Sequence, residues 1–374
     1  MKFIKCKLSE LGEIVGGSTP FTKNESYYGG DIPWLTPKDL ANFNGRYINF
    51  GERNITEAGY KSTSVKMLPI NSVLFSSRAP IGYVAINNKN EVCTNQGFKS
   101  VIPNSKTDYM FLYYLLKYNK NKIEAMGSGT TFKEVSGAVM KNIIVNVPEA
   151  KEDQIKIGKI LSKIDDKIEL NTHTNDNLLK IGLELLKEDF NKKTEYEVLS
   201  NAIKFVKGKK PLEITPEIKE KYKKYLTIAC LNGQELNYAD PTKMVLSNND
   251  LLMVMDGASS GDVYYAGQGI VGSTLSRIDC IDSNYISEFI YFIMKYYKDL
   301  IQSKNTGSAI PHTDKVFVGN LKVPKLLIEE QEKYKTLLYK ILKNMNENKI
   351  LEQLRDTLLP KLMNGEIDLD KIEI

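Results

Sequence analysis

Chemistry in a protein chain needs nucleophiles, bases or ligand clusters, and this chain holds few. Its 374 residues include two histidines, His173 and His312, and four cysteines, Cys6, Cys93, Cys230 and Cys280. A histidine-based hydrolase or a histidine-rich metal centre calls for more imidazole at closer spacing. The cysteines lie far apart and none sits in C-x-x-C. That argues against a zinc site and a disulfide scaffold, and fits a reducing cytoplasm. No G-x-x-x-x-G-K-[ST], H-E-x-x-H or Asn/Asp-Pro-Pro-Tyr/Phe run occurs. One G-x-G-x-x-G spans Gly267 to Gly272, but Ser273-Thr274-Leu275-Ser276 does not open a helix behind it. Those glycines are expected in a turn or bulge, not around a nucleotide. His173 falls between threonines in a helical stretch and is expected to face solvent; His312 falls in a polar loop over 303–314.

The elements around these residues are more informative. Hydrophobic residues make up 42% and charged residues 26%, an ordinary globular balance, and the length suits two domains. No stretch approaches the ~20 apolar residues of a membrane helix. The start, MKFIKCKLSE, has no apolar run of the kind a secretory signal needs. The net charge is +5, from 51 basic and 46 acidic residues, with Arg46, Arg53, Arg78, Arg277 and Arg355 the only arginines. So lysine-heavy a balance, with much Asn and Ile, is what an AT-rich genome encodes. The charge is uneven: +7 over 1–147, −2 over 148–192, +1 over 193–324 and −1 over 325–374. A basic first head is expected to meet nucleic acid, and acidic helices to meet protein. The near-neutral second head must rely on clusters such as Lys207–Lys210.

The chain repeats itself. Phe111–Tyr118 matches Phe289–Tyr296, 178 residues on. The same offset aligns Asn71-Ser72-Val73-Leu74 with Asn249-Asp250-Leu251-Leu252, Gly129-Thr130-Thr131 with Gly307-Ser308-Ala309, and Asn142-Ile143 with Asn320-Leu321. Nearer the start the offset is 191, aligning Ser18-Thr19-Pro20 with Lys209-Lys210-Pro211 and Leu35-Thr36 with Leu226-Thr227. The first copy therefore carries 13 extra residues between Leu40 and Asn71. Strand-like runs fall at 72–76, 83–86, 251–255 and 263–266, and buried helices at 109–118 and 287–298.

Each copy ends in a long helical stretch, about 149–191 and 328–363. Apolar residues there recur in alternating steps of four and three: Ile157, Leu161, Ile164, Ile168 and Asn171 in the first, Tyr334, Leu338, Ile341, Met345 and Asn348 in the second. Such spacing is a coiled-coil seam, and an asparagine in it fixes register. Pro148 and Pro324 close each head just before its helix, and Asn364-Gly365 reads as a helix end. A helix of ~38 residues spans ~57 Å. The second helix must begin near where the first ended, so an antiparallel pair with one head at each end is expected. The fold class is thus α+β, with pseudo-two-fold symmetry: domains 1–148 and 193–324, helix 149–192, and helix and tail 325–374. Such an object suits two half-sites on duplex DNA.

These residues resemble the specificity subunit of type I restriction-modification systems over nearly the whole length. Ile32-Pro33-Trp34-Leu35-Thr36-Pro37-Lys38-Asp39-Leu40 and the run Asn71 to Gly82, with Arg78-Ala79-Pro80-Ile81-Gly82, resemble the family's target-recognition motifs. Gly127 to Phe132, then Asn142 to Pro148 and Asp153-Gln154, resemble the passage into its first conserved helix. Pro324 through Glu330-Gln331, and Leu358 through Ile367, resemble the second passage and the C-terminus. Asp153 stands where Glu is usual, Lys209-Lys210-Pro211 replaces Ser18-Thr19-Pro20, and the second head lacks a counterpart of Arg78.

The resemblance implies a non-catalytic, cytoplasmic subunit whose two target-recognition domains each read half of a split site in double-stranded DNA. Its helices would bind two methyltransferase subunits, joined where present by an endonuclease/translocase subunit. Adenine N6 methylation with S-adenosylmethionine would belong to the methyltransferase, and ATP and Mg to the endonuclease; this chain would hold no cofactor and no metal. Base readout needs polar side chains presented from loops. The candidates are Ser77, Arg78, Asn95, Gln96, Thr130, Thr131 and Lys133 in the first head. In the second they are Lys207, Lys209, Lys210, Ser273, Thr274, Arg277, Lys304, Asn305 and His312. A stand-alone two-headed DNA-binding protein, or an enzyme with its own active site, are the alternatives.

Overall fold

A computed structural model describes residues 1–369 except 42, 44, 90, 130–132, 266 and 308–309. Its backbone divides into two compact units, 1–171 with 346–374, and 172–345. The division runs through both long helices, because each head's core continues onto the helix stretches beside it. In the first unit Ile157 and Leu161 join Phe111, Tyr114, Leu362 and Met363 in one cluster. In the second, Leu186, Tyr334, Leu338 and Ile341 join Phe289 and Phe292.

The two heads are built alike. In the first, a four-stranded sheet runs in the order Gly12–Gly16, Lys99–Pro103, Val73–Phe75, Val84–Ile86. In the second, the order Ile203–Lys207, Leu275–Cys280, Leu251–Val254, Val263–Tyr265 repeats it. A second sheet in each head contains one parallel pairing, Trp34 with Cys93 and Leu35 with Thr94, matched by Tyr225 with Ile270 and Leu226 with Val271. The strand Phe3–Lys7 pairs antiparallel with Ile144–Pro148, and Tyr196–Val198 with Lys322–Pro324. Each head's entry strand is thereby closed by its exit strand.

Helix Tyr109–Tyr118 is apolar nearly all round, and six of its residues are buried. Such a helix forms only as the centre of a core. Ser287–Tyr296 is its counterpart. Glycines let the first long helix, Lys151–Lys192, approach both: a Cβ on Gly182 would overlap the Phe292 ring at 2.1 Å, and one on Gly158 would lie 3.0 Å from the Phe111 nitrogen.

The second long helix, Ile328–Met363, packs antiparallel to the first within each unit. In the first unit Asn171 Nδ2 donates to Asn348 Oδ1 at 2.9 Å, and Arg355 Nη1 meets Asp165 Oδ1 at 2.9 Å. In the second, Asn344 Nδ2 donates to Asn175 Oδ1 at 2.9 Å, and Tyr334 Oη to Asp189 Oδ2 at 2.6 Å. Of the expected seam, Ile157, Leu161, Tyr334, Leu338 and Ile341 are buried, and Ile164 and Ile168 are half-buried. Met345 is a correction: it is 48% exposed. Asn344 takes the inward place, because the inward face of that helix shifts by one residue there. Past Met363 the helix ends on Gly365, whose φ of +74° suits glycine, and Glu366 N–H bonds the Lys361 carbonyl at 2.9 Å.

Candidate nucleic-acid interface

The glycines of the G-x-G-x-x-G run serve a strand. Gly269–Val271 is extended, and Cβ atoms on Gly269 and Gly272 would strike the Lys224 and Leu226 oxygens at 2.5 and 2.4 Å. Burial pushes the Cys93 thiol up to about 12 and the Cys280 thiol up to about 11, which keeps both protonated and inert near neutrality. His173 is exposed on the first long helix. Among the described residues no cluster of three or more His, Cys, Asp or Glu could hold a metal, and no helix is long and apolar enough to cross a membrane.

The polar candidates gather at one end of each head's main sheet. In the first head, Arg78 follows the strand Val73–Phe75 and forms a backbone bridge with Glu134, which in turn bridges Ser128. Arg78 Nε donates to Glu134 Oε2 at 2.9 Å, and Lys99 Nζ lies 3.4 Å from Glu134 Oε1. Burial opposes charge on Glu134, but the Arg78 hydrogen bond and the Lys99 charge outweigh it and hold the carboxyl below its usual range. Gln96 is tied to Thr19 by a hydroxyl hydrogen bond, and Asn95 Oδ1 accepts from the Gly97 N–H at 2.9 Å. Lys133 is half-buried on the same loop. Ser77 is a correction: it is fully buried and its hydroxyl donates to the Gly97 carbonyl at 3.1 Å. It braces Arg78 and presents nothing to solvent. Thr130 and Thr131 lie outside the described residues.

The second head presents the same frame with different chemistry. Asp256 stands 178 residues after Arg78, and His312 178 after Glu134. They form the same backbone bridge, His312 in turn bridges Thr306, and His312 Nδ1 lies 2.7 Å from Asp256 Oδ1. Ser273 occupies the place of Gln96 and Thr274 that of Gly97, because this segment runs 177 residues behind its counterpart. The Thr274 carbonyl accepts from the Met255 N–H at 2.8 Å, as the Gly97 carbonyl accepts from the Ser77 N–H at 2.7 Å. Lys207, Lys209, Lys210 and Lys304 are exposed. Asn305 Nδ2 donates to the Ser260 carbonyl at 3.2 Å. Arg277 stands apart from the other candidates, because Asp279 and the Leu246 carbonyl engage its guanidinium.

Several contributors escape a reading by residue type. Glu134, Lys99, Thr19 and Asp256 complete the two frames. Adding the repeat offset to Arg78 points straight at Asp256. Gln154 and Gln331, in the motifs before the two helices, are buried and equivalent. Gln154 accepts from the Asp108 N–H and Gln331 from the Ile286 N–H, both at 3.0 Å, so each ties a head's central helix to a long helix.

Two repeated heads, each offering a braced polar edge, define a recognition module used twice. The sequence places it in a family. Residues 2–180 match the family model described as the type I restriction modification DNA specificity domain. The MjaIX type I restriction enzyme specificity subunit of Methanocaldococcus jannaschii is 32% identical over 98% of this chain and 94% of its own. The EcoR124I/EcoR124II specificity subunit of Escherichia coli is 29% identical over 42% of this chain and 40% of its own. In fold, the S subunit of a type I restriction-modification system from M. genitalium aligns with a TM-score of 0.62 at 18% identity, covering 97% of this chain and 96% of that one. The chain belongs to the family of type I restriction enzyme specificity subunits.

Proposed function

We propose that this chain supplies DNA sequence recognition to a type I restriction-modification complex. Each head reads one half of a split site in duplex DNA, with the division 1–148, 149–192, 193–324 and 325–374 separating heads from helices. The observation that carries this is the repeat-matched polar frame, Arg78 with Glu134 and Asp256 with His312, on the same backbone in both heads. An identical scaffold with different side chains is what reading two different half-sites requires. The basic first head adds attraction to phosphate.

The chain acts without chemistry of its own. Two methyltransferase subunits dock on its helices and methylate adenine N6 with S-adenosylmethionine. An endonuclease subunit, where present, brings ATP and Mg. The place of work is the cytoplasm, where the host DNA lies. Methylation-aware sequencing of host DNA with and without the gene tests this. A split motif that loses methylation on deletion supports it; an unchanged methylome overturns it.

A further inference from the structure

Pro20 and Pro211 occupy matched places 191 residues apart, and both are buried. The residue after each is apolar and turned outward: Phe21 is 66% exposed and Leu212 107%. Each is the most exposed large apolar side chain of its own unit among the described residues. A solitary exposed apolar residue is ordinary. Two at the same place in a repeat, where the neighbouring residues differ, are not.

The backbone carrying them is braced in the same way twice. A Cβ on Gly17 would meet the Asn95 and Thr94 oxygens at 2.1 and 2.2 Å, and one on Gly208 would meet the Gly272 oxygen at 2.1 Å. Ser18 N–H then bonds the Thr94 oxygen at 3.0 Å, and Lys209 N–H the Val271 oxygen at 3.1 Å. Tyr28 Oη donates to the Pro20 carbonyl at 2.8 Å. Both tips therefore stand on fixed supports. Their surroundings suit nucleic acid: exposed Lys23 and the Thr19–Gln96 pair near Phe21, exposed Lys209 and Lys210 near Leu212, whose next residue, Glu213, is paired with Lys219.

An apolar tip flanked by cations matches duplex DNA, where lysines meet phosphates while the tip enters between base pairs and kinks the step. We propose that Phe21 and Leu212 are matched wedges, each inserting at one base step of its half-site. The inference rests on the DNA-reading function above. Because pyrimidine–purine steps open most easily, each wedge adds sequence preference without touching a base edge.

The chain assembled with its methyltransferase partner is mixed with duplexes carrying 2-aminopurine at successive steps away from the methylated adenine. The expected result is a fluorescence rise at one step in each half-site. Phe21→Ser abolishes the rise in the first half only, and Leu212→Ser in the second half only, with melting temperature unchanged. If the intact complex binds its site and no step brightens, or the serine variants brighten the same steps, the wedge is overturned while DNA reading stands. If either substitution instead releases the methyltransferase, the tips are protein contacts and the wedge is again overturned. An intact complex with no preference for any duplex overturns the functional reading, and the wedge with it.

Discussion

Arg78 and Asp256 stand at the same place in the two heads, bonded across to Glu134 and His312, and they carry opposite charge. Arg78 uses Nε for its partner, so among the described residues its terminal nitrogens remain as donors, the geometry that fits guanine O6 and N7. Among the described residues Asp256 keeps Oδ2 as an acceptor, which fits the exocyclic amine of cytosine. Arg78→Ala should relax one position of the first half-site by ~1–3 kcal/mol and leave the second half unchanged. Asp256→Ala should do the converse. Methylation rates on duplexes with each base pair replaced in turn provide the measurement. Uniform weakening across all duplexes would mean that Arg78 contacts phosphate and that Asp256 only positions His312.

A buried carboxylate sits on the first long helix in each unit. Asp165 accepts from Tyr114 Oη at 2.6 Å and faces Arg355; Asp189 accepts from Tyr334 Oη at 2.6 Å and faces Lys333 at 2.7 Å. Removing one partner of a buried pair costs more than the pair contributes net, because the other is left unsatisfied. Asp189→Ala should therefore destabilise by about 3 kcal/mol, and Tyr334→Phe, which leaves Lys333 on the carboxylate, by about 1 kcal/mol. Urea unfolding followed by circular dichroism compares them. Equal losses would contradict the ordering.

The long helices and the repeat were legible because periodicity and self-similarity are properties of the chain itself. Ile157, Leu161, Tyr334, Leu338 and Ile341 lie where their spacing puts them. What could not be read was set by contacts between distant segments. Ser77 looks like a surface donor until Gly97, twenty residues on, closes over it. Met345 fits the spacing, but the local packing presents Asn344 to Asn175 instead. The Arg78–Glu134 bond needs a strand end and a loop 56 residues apart to meet, and no local pattern encodes that.

Arg46 fastens the first head to its long helix. It is 3% exposed, its Nε donates to Glu169 Oε1 at 3.2 Å, and its Nη2 pairs with Asp166. Burial alone would lower its pKa, yet the bonds to Glu169 and Asp166 hold the charged form beyond its ordinary range. Because both carboxylates reach solvent, Arg46→Ala should cost about 2 kcal/mol rather than the full penalty of a broken buried pair. Arg46→Lys should recover little, since an ammonium cannot hold two carboxylates and a carbonyl in one plane. Thermal melting of the two variants decides; full rescue by lysine would show that charge alone matters.

Buried tyrosines make alkali the chain's weak side. Burial pushes Tyr265, Tyr291 and Tyr297 up to about 12, and burial with the nearby Asp165 and Asp189 carboxylates drives Tyr114 and Tyr334 higher still. In the unfolded chain each ionises near 10. Between about 10 and 12 the folded state thus holds more protons than the unfolded state, and stability falls as pH rises. Each such tyrosine contributes about 1.4 kcal/mol of loss per pH unit within that window. The buried Cys93 and Cys280 thiols, which ionise near 8.5 once unfolded, start a shallower decline earlier, so the melting temperature should begin to fall above about pH 8.5 and drop steeply by about pH 11. The share of tyrosinate absorbance that belongs to these buried rings should appear with unfolding and not before it. Folded protein that titrates these phenols near pH 10, with its melting temperature unmoved, would show that the rings are not sealed from water.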